Sequence, residues 1–291
     1  MRRSSAVARL GAGVLAGCLA QGAAAQAPGG LSDDAAWYVS VGAGANRTST
    51  LKQAGYNRDD ICYPTNLCPR TVEGYRWFYD LDPDAGAVVD LAVGYRRNAL
   101  RLEVGASGMS SDIQESFTGI NYFDGTPVLP DEDSEYANVA ETAVEALSTR
   151  TLAFNAYWSF PIPAMRLTPY LGVGVGLSEV KLSGLYFHSR YTCGRPPCSA
   201  RPASEYDSEQ RADLTDSVLS KYLYAGVDHQ LDNGRWTLGA KAVYRRVDDL
   251  MDTDGYLDHP IPDQLNHTAI SGMDHWSLML EVRFFPGASG R

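Results

Sequence analysis

Apolar and polar residues alternate with a period of two in eight separate stretches of this chain. The stretches cover residues 37–46, 87–96, 100–107, 151–160, 168–178, 217–231, 236–245 and 276–285. Successive side chains of a β-strand point to opposite faces, so each stretch predicts a strand with one apolar face. Most stretches are close to the roughly 9–11 residues that a tilted strand needs to cross a bilayer. We therefore predict an all-β fold built from eight strands.

The stretch 168–178, Thr-Pro-Tyr-Leu-Gly-Val-Gly-Val-Gly-Leu-Ser, has the most distinctive alternation. One face is apolar and the other is glycine: Leu171, Val173, Val175 and Leu177 against Gly172, Gly174 and Gly176. We expect the apolar face to contact lipid. The glycines would face a narrow barrel interior, where the backbone must leave room for side chains of neighbouring strands.

The connections between the stretches are alternately short and long. The short ones lie at residues 98–99, at 161–164 and at 232–235, and the last contains the hairpin signal Asn-Gly. The long ones cover about residues 47–85, 109–149, 180–216 and 247–273. This asymmetry predicts an eight-stranded antiparallel up-and-down transmembrane β-barrel with short periplasmic turns and four long extracellular loops.

Aromatic residues cluster at the strand ends that adjoin the short turns. Such clusters are typical of the aromatic girdle at a membrane interface. The predicted girdle consists of Trp37, Tyr95, Trp158, Phe160, Tyr170, Trp236 and Phe284.

The polar faces of the strands carry charges of both signs. They are Asp90, Arg96, Arg101, Glu103, Asp228, Lys241, Arg245, Glu281 and Arg283. An eight-stranded barrel has an interior that side chains just fill, so these groups predict a salt-bridged plug. Two alternatives remain: a narrow gated ion pathway through the same groups, and a soluble lipocalin-like barrel with its apolar face inside. The soluble alternative leaves the girdle unexplained.

The N-terminus has the pattern of a secretory signal. Three arginines precede a short apolar stretch at residues 10–20, and a small-residue cleavage site follows. We predict a signal peptide at 1–27, a linker at 28–35, the barrel at 36–285 and a periplasmic tail at 286–291. Cys18 leaves an alternative, because Leu-Ala-Gly-Cys resembles a lipidation site.

The 291-residue chain is acidic, with a formal net charge of −10. Nucleic-acid binding needs clustered Lys and Arg to neutralise phosphates, so we exclude that class of partner.

Four of the five cysteines lie beyond the signal, in two closely spaced pairs. Export implies an oxidising compartment, which predicts the disulfides Cys62–Cys68 and Cys193–Cys198. The five residues between Cys62 and Cys68 exceed the usual zinc-binding spacing, and a Gly-Arg-Pro-Pro turn follows Cys193. We expect no metal site and no cofactor.

The segment Thr168-Pro-Tyr-Leu-Gly-Val-Gly-Val-Gly176 resembles a strand of small outer-membrane β-barrels, the superfamily of opacity-type surface proteins and the outer-membrane protein A barrel. Glu281-Val-Arg-Phe-Phe285 is similar to their closing strand. The resemblance covers about residues 36–285 and implies lipid, lipopolysaccharide and the barrel-assembly machinery as partners. This chain departs from the pattern by continuing six residues beyond Phe285, which is where such barrels usually end.

No catalytic arrangement is readable from spacing. The Asp-His pairs within strands, at 228–229 and 274–275, point to opposite faces. The sequence therefore predicts a non-enzymatic outer-membrane protein whose loops serve surface-antigen display, adhesion or envelope integrity, with a possible host or surface ligand. A narrow porin-like channel and a lipid-A-modifying barrel enzyme are the alternatives.

Overall fold

The computed structural model describes residues 35–58, 60–162, 166–198, 202–231, 234–252 and 267–286. The predicted signal peptide with Cys18, most of the linker and most of the C-terminal tail lie outside these residues. Within them, no helix has the length and apolar character needed to cross a membrane.

The described residues are almost entirely β-structure, with one short 3₁₀ helix at Ala203–Tyr206. The strands are β1 (Ala35–Thr48), β2 (Leu51–Asn57), β3 (Asn66–Leu67), β4 (Tyr75–Pro83), β5 (Gly86–Arg97), β6 (Leu100–Tyr122), β7 (Leu129–Pro130), β8 (Tyr136–Ala143), β9 (Ala146–Ser159), β10 (Leu167–Cys193), β11 (Ser208–Gln230), β12 (Trp236–Val247), β13 (Leu250–Asp252), β14 (His267–Ser271) and β15 (Asp274–Phe284).

Eight of these strands close a barrel. The antiparallel order is β1–β5–β6–β9–β10–β11–β12–β15, and β15 pairs with β1 to complete the ring. Closure leaves the barrel wall without an unpaired edge, which a hydrocarbon environment requires. The predicted eight-stranded antiparallel barrel is confirmed.

The glycines of β10 make room for side chains of β9. A Cβ on Gly172 would lie 2.3 Å from Cδ1 of Tyr157, and one on Gly174 would lie 2.1 Å from Oδ1 of Asn155. Both distances are impossible for real atoms, so only glycine allows these two large polar side chains to fill the narrow interior.

The apolar face of each barrel strand lies on the outside. Val173 is 58% exposed and Leu280 is 73% exposed, and both belong to a belt of exposed Leu and Val around the barrel. A soluble monomer rarely exposes so large a continuous apolar surface. The belt therefore fits a lipid environment and not the soluble, inward-facing alternative.

Most of the predicted girdle lies on this outer surface, at the end of the barrel that carries the short turns. Trp37, Trp158, Phe160 and Trp236 are exposed there. Trp37 packs on Tyr95, and Trp236 packs on Phe284.

The assignment of Tyr170 to the girdle is wrong. Tyr170 is only 2% exposed, and its ring meets the ring of Tyr157 edge-on inside the barrel. The reason is strand parity: Tyr170 shares the inward face of β10 with Gly172, while Leu171 points outward.

Above the apolar belt the long connections fold into further strands. On one side β6 continues upward and forms a first wall with β4, β2, β14 and β13. On the other side β10 continues to Cys193 and forms a second wall with β8 and β11. We call these two walls, together with the loops that join their strands, the second storey. They lie outside the membrane-spanning part of the barrel.

Candidate functional site

We call the end of the barrel that carries the short turns the lower end. Salt bridges fill the interior of the barrel towards this end. Arg101 Nη1 lies 2.7 Å from Asp228 Oδ2, and Arg283 pairs with the same carboxylate oxygen. Arg283 Nε also lies 2.7 Å from Glu281 Oε1. Lys241 Nζ lies 3.1 Å from Glu281 Oε2. The chain of alternating charges thus runs across β6, β11, β15 and β12.

The remaining predicted interior charges join the same network or lie near its ends. Asp90 pairs with Lys241. The Glu103 carboxylate accepts hydrogen bonds of 3.0 Å from the hydroxyls of Tyr38 and Tyr157.

Two arginines lie at opposite ends of this network. The guanidinium of Arg96 lies 4.7 Å from the ring centre of Phe285 at the lower end. Arg245 donates to the hydroxyl of Thr151 at 3.3 Å, near the upper end. A cavity of only about 50 Å³ is left among these groups.

An apolar layer lies directly above the charged interior. Its residues come from both walls and from the tops of the barrel strands: Leu51, Tyr79, Leu81, Ile113, Val144, Leu147, Val180, Leu182, Leu185, Leu214, Val247, Leu250, Ile270 and Met273. We call this layer the seal. It is packed like the core of a soluble protein, with Leu182 and Leu51 fully buried.

The seal marks an inversion of polarity along each long strand. In β10 the apolar residues up to Leu177 point outward, whereas Val180 and Leu182, three and five residues later, point inward and are buried. In β12, Leu238 points outward, whereas Val247 points inward and is buried in the seal. The inversion identifies the level at which lipid gives way to water outside the barrel.

A cavity of about 440 Å³ lies above the seal, between the two walls. We call this cavity the cup. Its volume is within the range of about 300–1,000 Å³ that is usual for small-molecule sites. The order of groups along β6 defines its position, because Arg101 and Glu103 lie in the charged interior, Ile113 in the seal, and Glu115 and Phe117 in the cup.

The lining of the cup combines aromatic rings with amide and hydroxyl groups. The first wall contributes Gln53, Tyr75, Trp77, Tyr79, Glu115 and Phe117. The second wall contributes Asn138, Thr142, Phe187, Ser189 and Tyr191. Strand alternation explains which residues of β4 line the cup, since Tyr75, Trp77 and Tyr79 share one face and Phe78 lies on the other.

The Cys62–Cys68 disulfide closes a small loop over the cup. The ring of Tyr63 in this loop stacks on Tyr191 of the second wall, with ring centres 5.9 Å apart and planes within 12°. The same ring lies 5.7 Å from the ring of Tyr75 on the first wall, and the Tyr75 hydroxyl donates to the carbonyl of Ile61 at 2.7 Å. The loop therefore bridges the two walls.

The Cys193–Cys198 disulfide lies beside this bridge, at the top of β10. The amide of Gly194 donates to the carbonyl of Glu135 at 2.8 Å. The hydroxyl of the adjacent Ser134 donates to the carbonyl of Pro64 at 2.7 Å. The two disulfide-closed loops are thus joined through one short segment, and together they stiffen the rim of the cup.

Glu115 is the one charged residue among the described side chains that line the cup. Burial raises the pKa of its carboxyl group, and a hydrogen bond with Thr142 on the facing strand partly opposes the shift. A half-buried carboxyl group with a raised pKa inside a cavity is a common feature of binding sites.

The sequence indicated the charged interior but not the cup. The cup depends on which side chains of distant loops face each other, which spacing does not reveal. One signal was available: the apolar residues change faces after Leu177, and alternation resumes beyond an irregularity between Leu182 and Leu185 as far as Tyr191. No group of His, Cys, Asp and Glu able to hold a metal ion occurs in the described part of the chain.

These features together define a membrane β-barrel with a filled interior and a structured cup above it. No protein-family model matches the chain. No curated protein matches it either.

Several solved structures of outer-membrane β-barrels are similar to it. Neisserial surface protein A shares 12% identity over 88% of this chain and 99% of its own, with a TM-score of 0.38. Ail, the attachment invasion locus protein of Yersinia pestis, shares 12% identity over 85% and 98%, with a TM-score of 0.28. The outer-membrane protease OmpT from Escherichia coli shares 9% identity over 89% and 99%, with a TM-score of 0.30. The likeness concerns the fold, which the strand pairing of this chain establishes by itself.

Proposed function

We propose that this protein is an integral outer-membrane barrel of a Gram-negative bacterium, exported through its N-terminal signal and inserted by the barrel-assembly machinery. The barrel is a non-enzymatic anchor in lipid and lipopolysaccharide. The disulfide-stiffened second storey is the working part and acts at the cell surface in adhesion, antigen display or envelope integrity. The observation that carries the proposal is the cup, which lies over a sealed and salt-bridged barrel.

The filled interior supports an anchor over a channel. A conducting pathway needs a continuous row of water-accessible polar groups. Here the cavity beside the paired Asp90 and Lys241 measures only about 50 Å³, and the apolar seal with Leu51 and Leu182 lies above it. Opening a path through both layers would break buried ion pairs and hydrate a packed apolar core, and each of these is costly.

The stiffness of the rim supports a binding role. Loops without a task at the surface need no ordered side chains, whereas the Tyr63–Tyr191 stack and the two disulfides hold the rim of the cup in one arrangement. Such preorganisation lowers the entropy that is lost when a ligand binds.

The first test is electrophoresis of protein extracted from outer membranes, with boiled and unboiled samples compared and the reductant varied separately. A faster-running unboiled band is expected for a closed barrel. Protease added to intact cells should cleave in the second storey, and only there. A single band that fractionates with soluble periplasm would contradict the membrane anchor.

The second test is conductance in planar bilayers that contain the purified protein. We expect no unitary conductance steps above background. Regular steps that disappear when Lys241 or Arg245 is replaced would identify a channel instead. Loss of a lipid-A modification in a deletion strain, restored by the wild-type gene and not by a His275→Ala gene, would identify an enzyme.

A further inference from the structure

We propose that the cup binds a short, uncharged oligosaccharide. The inference rests on the proposed function, because the cup must open to the outside of the cell. It goes beyond that function by naming the chemical class of the ligand. Three properties of the lining carry it: aromatic side chains on both walls, fixed amide and hydroxyl groups, and the near absence of charge.

The aromatic rings match the apolar faces of sugars. A pyranose ring has faces made of C–H groups, which pack on the negative face of an aromatic ring, and an edge made of hydroxyls. Trp77 and Phe117 line the cup from the first wall and Phe187 lines it from the second, whereas the rings of Tyr75 and Tyr191 are buried against Tyr63. A ligand between the walls would thus have rings on both sides, as a flat sugar requires.

The indole ring of Trp77 is held in place by the strand beneath it and can support a sugar ring on its other face. Its indole lies directly on the backbone of the neighbouring strand, because a Cβ on Gly55 would be 2.3 Å from Cε2 of the indole ring. Any larger residue at position 55 would displace the ring. The other four tryptophans of the chain, Trp37, Trp158, Trp236 and Trp276, are exposed on the outer face of the barrel.

Polar side chains in fixed orientations supply hydrogen bonds to the hydroxyls of the sugar. The Ser189 hydroxyl donates to Oδ1 of Asn138 at 2.9 Å. This bond orients the Asn138 amide so that Nδ2 is the available donor, and Asn138 lies in the lining. Gln53 adds an amide from the first wall, and Thr142 adds a hydroxyl from the second. Amides that both donate and accept suit sugar hydroxyls, which do the same.

The charge and the polarity of the lining disfavour two competing classes of ligand, acidic glycans and fatty acyl chains. No Lys or Arg occurs among the described side chains that line the cup, and Glu115 supplies a carboxyl group. A sulfated or sialylated glycan would therefore meet a carboxylate and no counter-charge. A fatty acyl chain would meet amides and hydroxyls that it cannot satisfy, which carries a desolvation cost.

The experiment uses the full-length protein purified in a detergent without a sugar headgroup, such as lauryldimethylamine oxide. The probes are lacto-N-tetraose, its sialylated form and lauric acid, followed by isothermal titration and by tryptophan emission. We expect the neutral tetrasaccharide to bind and to change the emission of the wild type. We expect the emission change to disappear in Trp77→Phe, because the other tryptophans lie in the girdle and belt.

Two variants on β4 give a matched comparison. Trp77→Ala should weaken binding about tenfold, which corresponds to about 1.4 kcal/mol. Phe78→Ala, on the same strand but outside the lining, should leave affinity unchanged. Trp77→Phe should bind more tightly than Trp77→Ala, because a smaller aromatic face remains.

Charge discrimination is a separate readout. The sialylated probe should bind at least about tenfold more weakly than the neutral probe. Glu115→Gln should reduce this difference in affinity, because it removes the carboxylate that repels the sialic acid. A second arm replaces lacto-N-tetraose with neutral oligosaccharide released from the bacterium's own lipopolysaccharide. Binding of either neutral probe supports the assignment, and their relative affinity identifies the source of the ligand.

Three outcomes would overturn the proposal: no heat from either neutral probe at millimolar concentration, equal effects of Trp77→Ala and Phe78→Ala, or tighter binding of lauric acid than of any saccharide. Heat-modifiability of the same preparation separates this failure from failure of the proposed function. A heat-modifiable barrel that binds no saccharide contradicts only the ligand class. A preparation without a heat-modifiable band contradicts the membrane anchor itself.

Discussion

Val173→Arg tests whether the apolar belt faces lipid. Val173 is 58% exposed and lies in the run 171–177, one residue from its centre. At the rise of a β-strand this position is within about 3 Å of the centre of the apolar run, which we place at the bilayer midplane. Arginine on the lipid face of a barrel at that depth costs about 2–4 kcal/mol. In water the same change on an exposed residue costs no more than about 0.5 kcal/mol.

Val139→Arg is the matched control. Val139 is 60% exposed, on β8 in the second storey, so the residue type and the exposed fraction are nearly identical and the surrounding medium differs. Its cross-strand neighbour is Arg190, and this like charge adds at most about 1 kcal/mol to the cost of an arginine at position 139. Both variants are refolded into lipid vesicles, and the free energy of unfolding is measured by guanidinium titration with tryptophan fluorescence. We expect a loss of about 2–4 kcal/mol for Val173→Arg and less than about 1 kcal/mol for Val139→Arg. Equal losses in the two variants would refute the assignment of the belt to lipid.

Three further predictions concern the interior, the cup and the rim. Arg283→Met removes one of the two cationic partners of each of the buried carboxylates Asp228 and Glu281 and should cost about 3 kcal/mol in the same titration, whereas Arg211→Met on the surface should cost less than about 1 kcal/mol. Glu115→Gln should raise stability at pH 7 and leave it unchanged below about pH 3. The sign follows from burial, which raises the pKa of the folded carboxyl group, so its ionised form destabilises the fold and its protonated form does not. A gain at low pH instead would contradict this cause. Replacing Cys62 and Cys68 by serine should lower the stability of the rim by about 2 kcal/mol and speed proteolysis of the loop that the disulfide closes. The barrel should remain heat-modifiable. Cleavage at the wild-type rate would show that the ring contacts alone hold the loop.

The barrel could be predicted from sequence because its signals are local. A strand that faces lipid on one side and a polar interior on the other must alternate with a period of two, as the run at Leu171 does. Turn residues such as Asn98, which adopts a φ of 54°, then mark the short connections. Neither signal requires knowledge of which strands are neighbours.

Tyr170 shows where such reasoning stops. An aromatic residue near a strand end suits a membrane interface, and composition alone assigned it there. Its side chain in fact lies inside the barrel, where the guanidinium of Arg101 is 4.4 Å from its ring centre. Parity along the strand could have corrected the assignment, but the partner from β6 could not be foreseen, because it depends on the register of three strands.

The alternating sequence by itself determined the strand number, the lipid-facing surface and the sign pattern of the interior. Only the tertiary structure decided the ion pairs, the seal and the cup, because each is formed by residues far apart in the chain. Trp77 and Phe187 are both loop aromatics in the sequence, and they line one cavity because β4 pairs with the extension of β6 on one side and β10 extends beyond the barrel on the other. Period-two alternation encodes the face on which a side chain lies, whereas cross-strand register determines which side chains it meets.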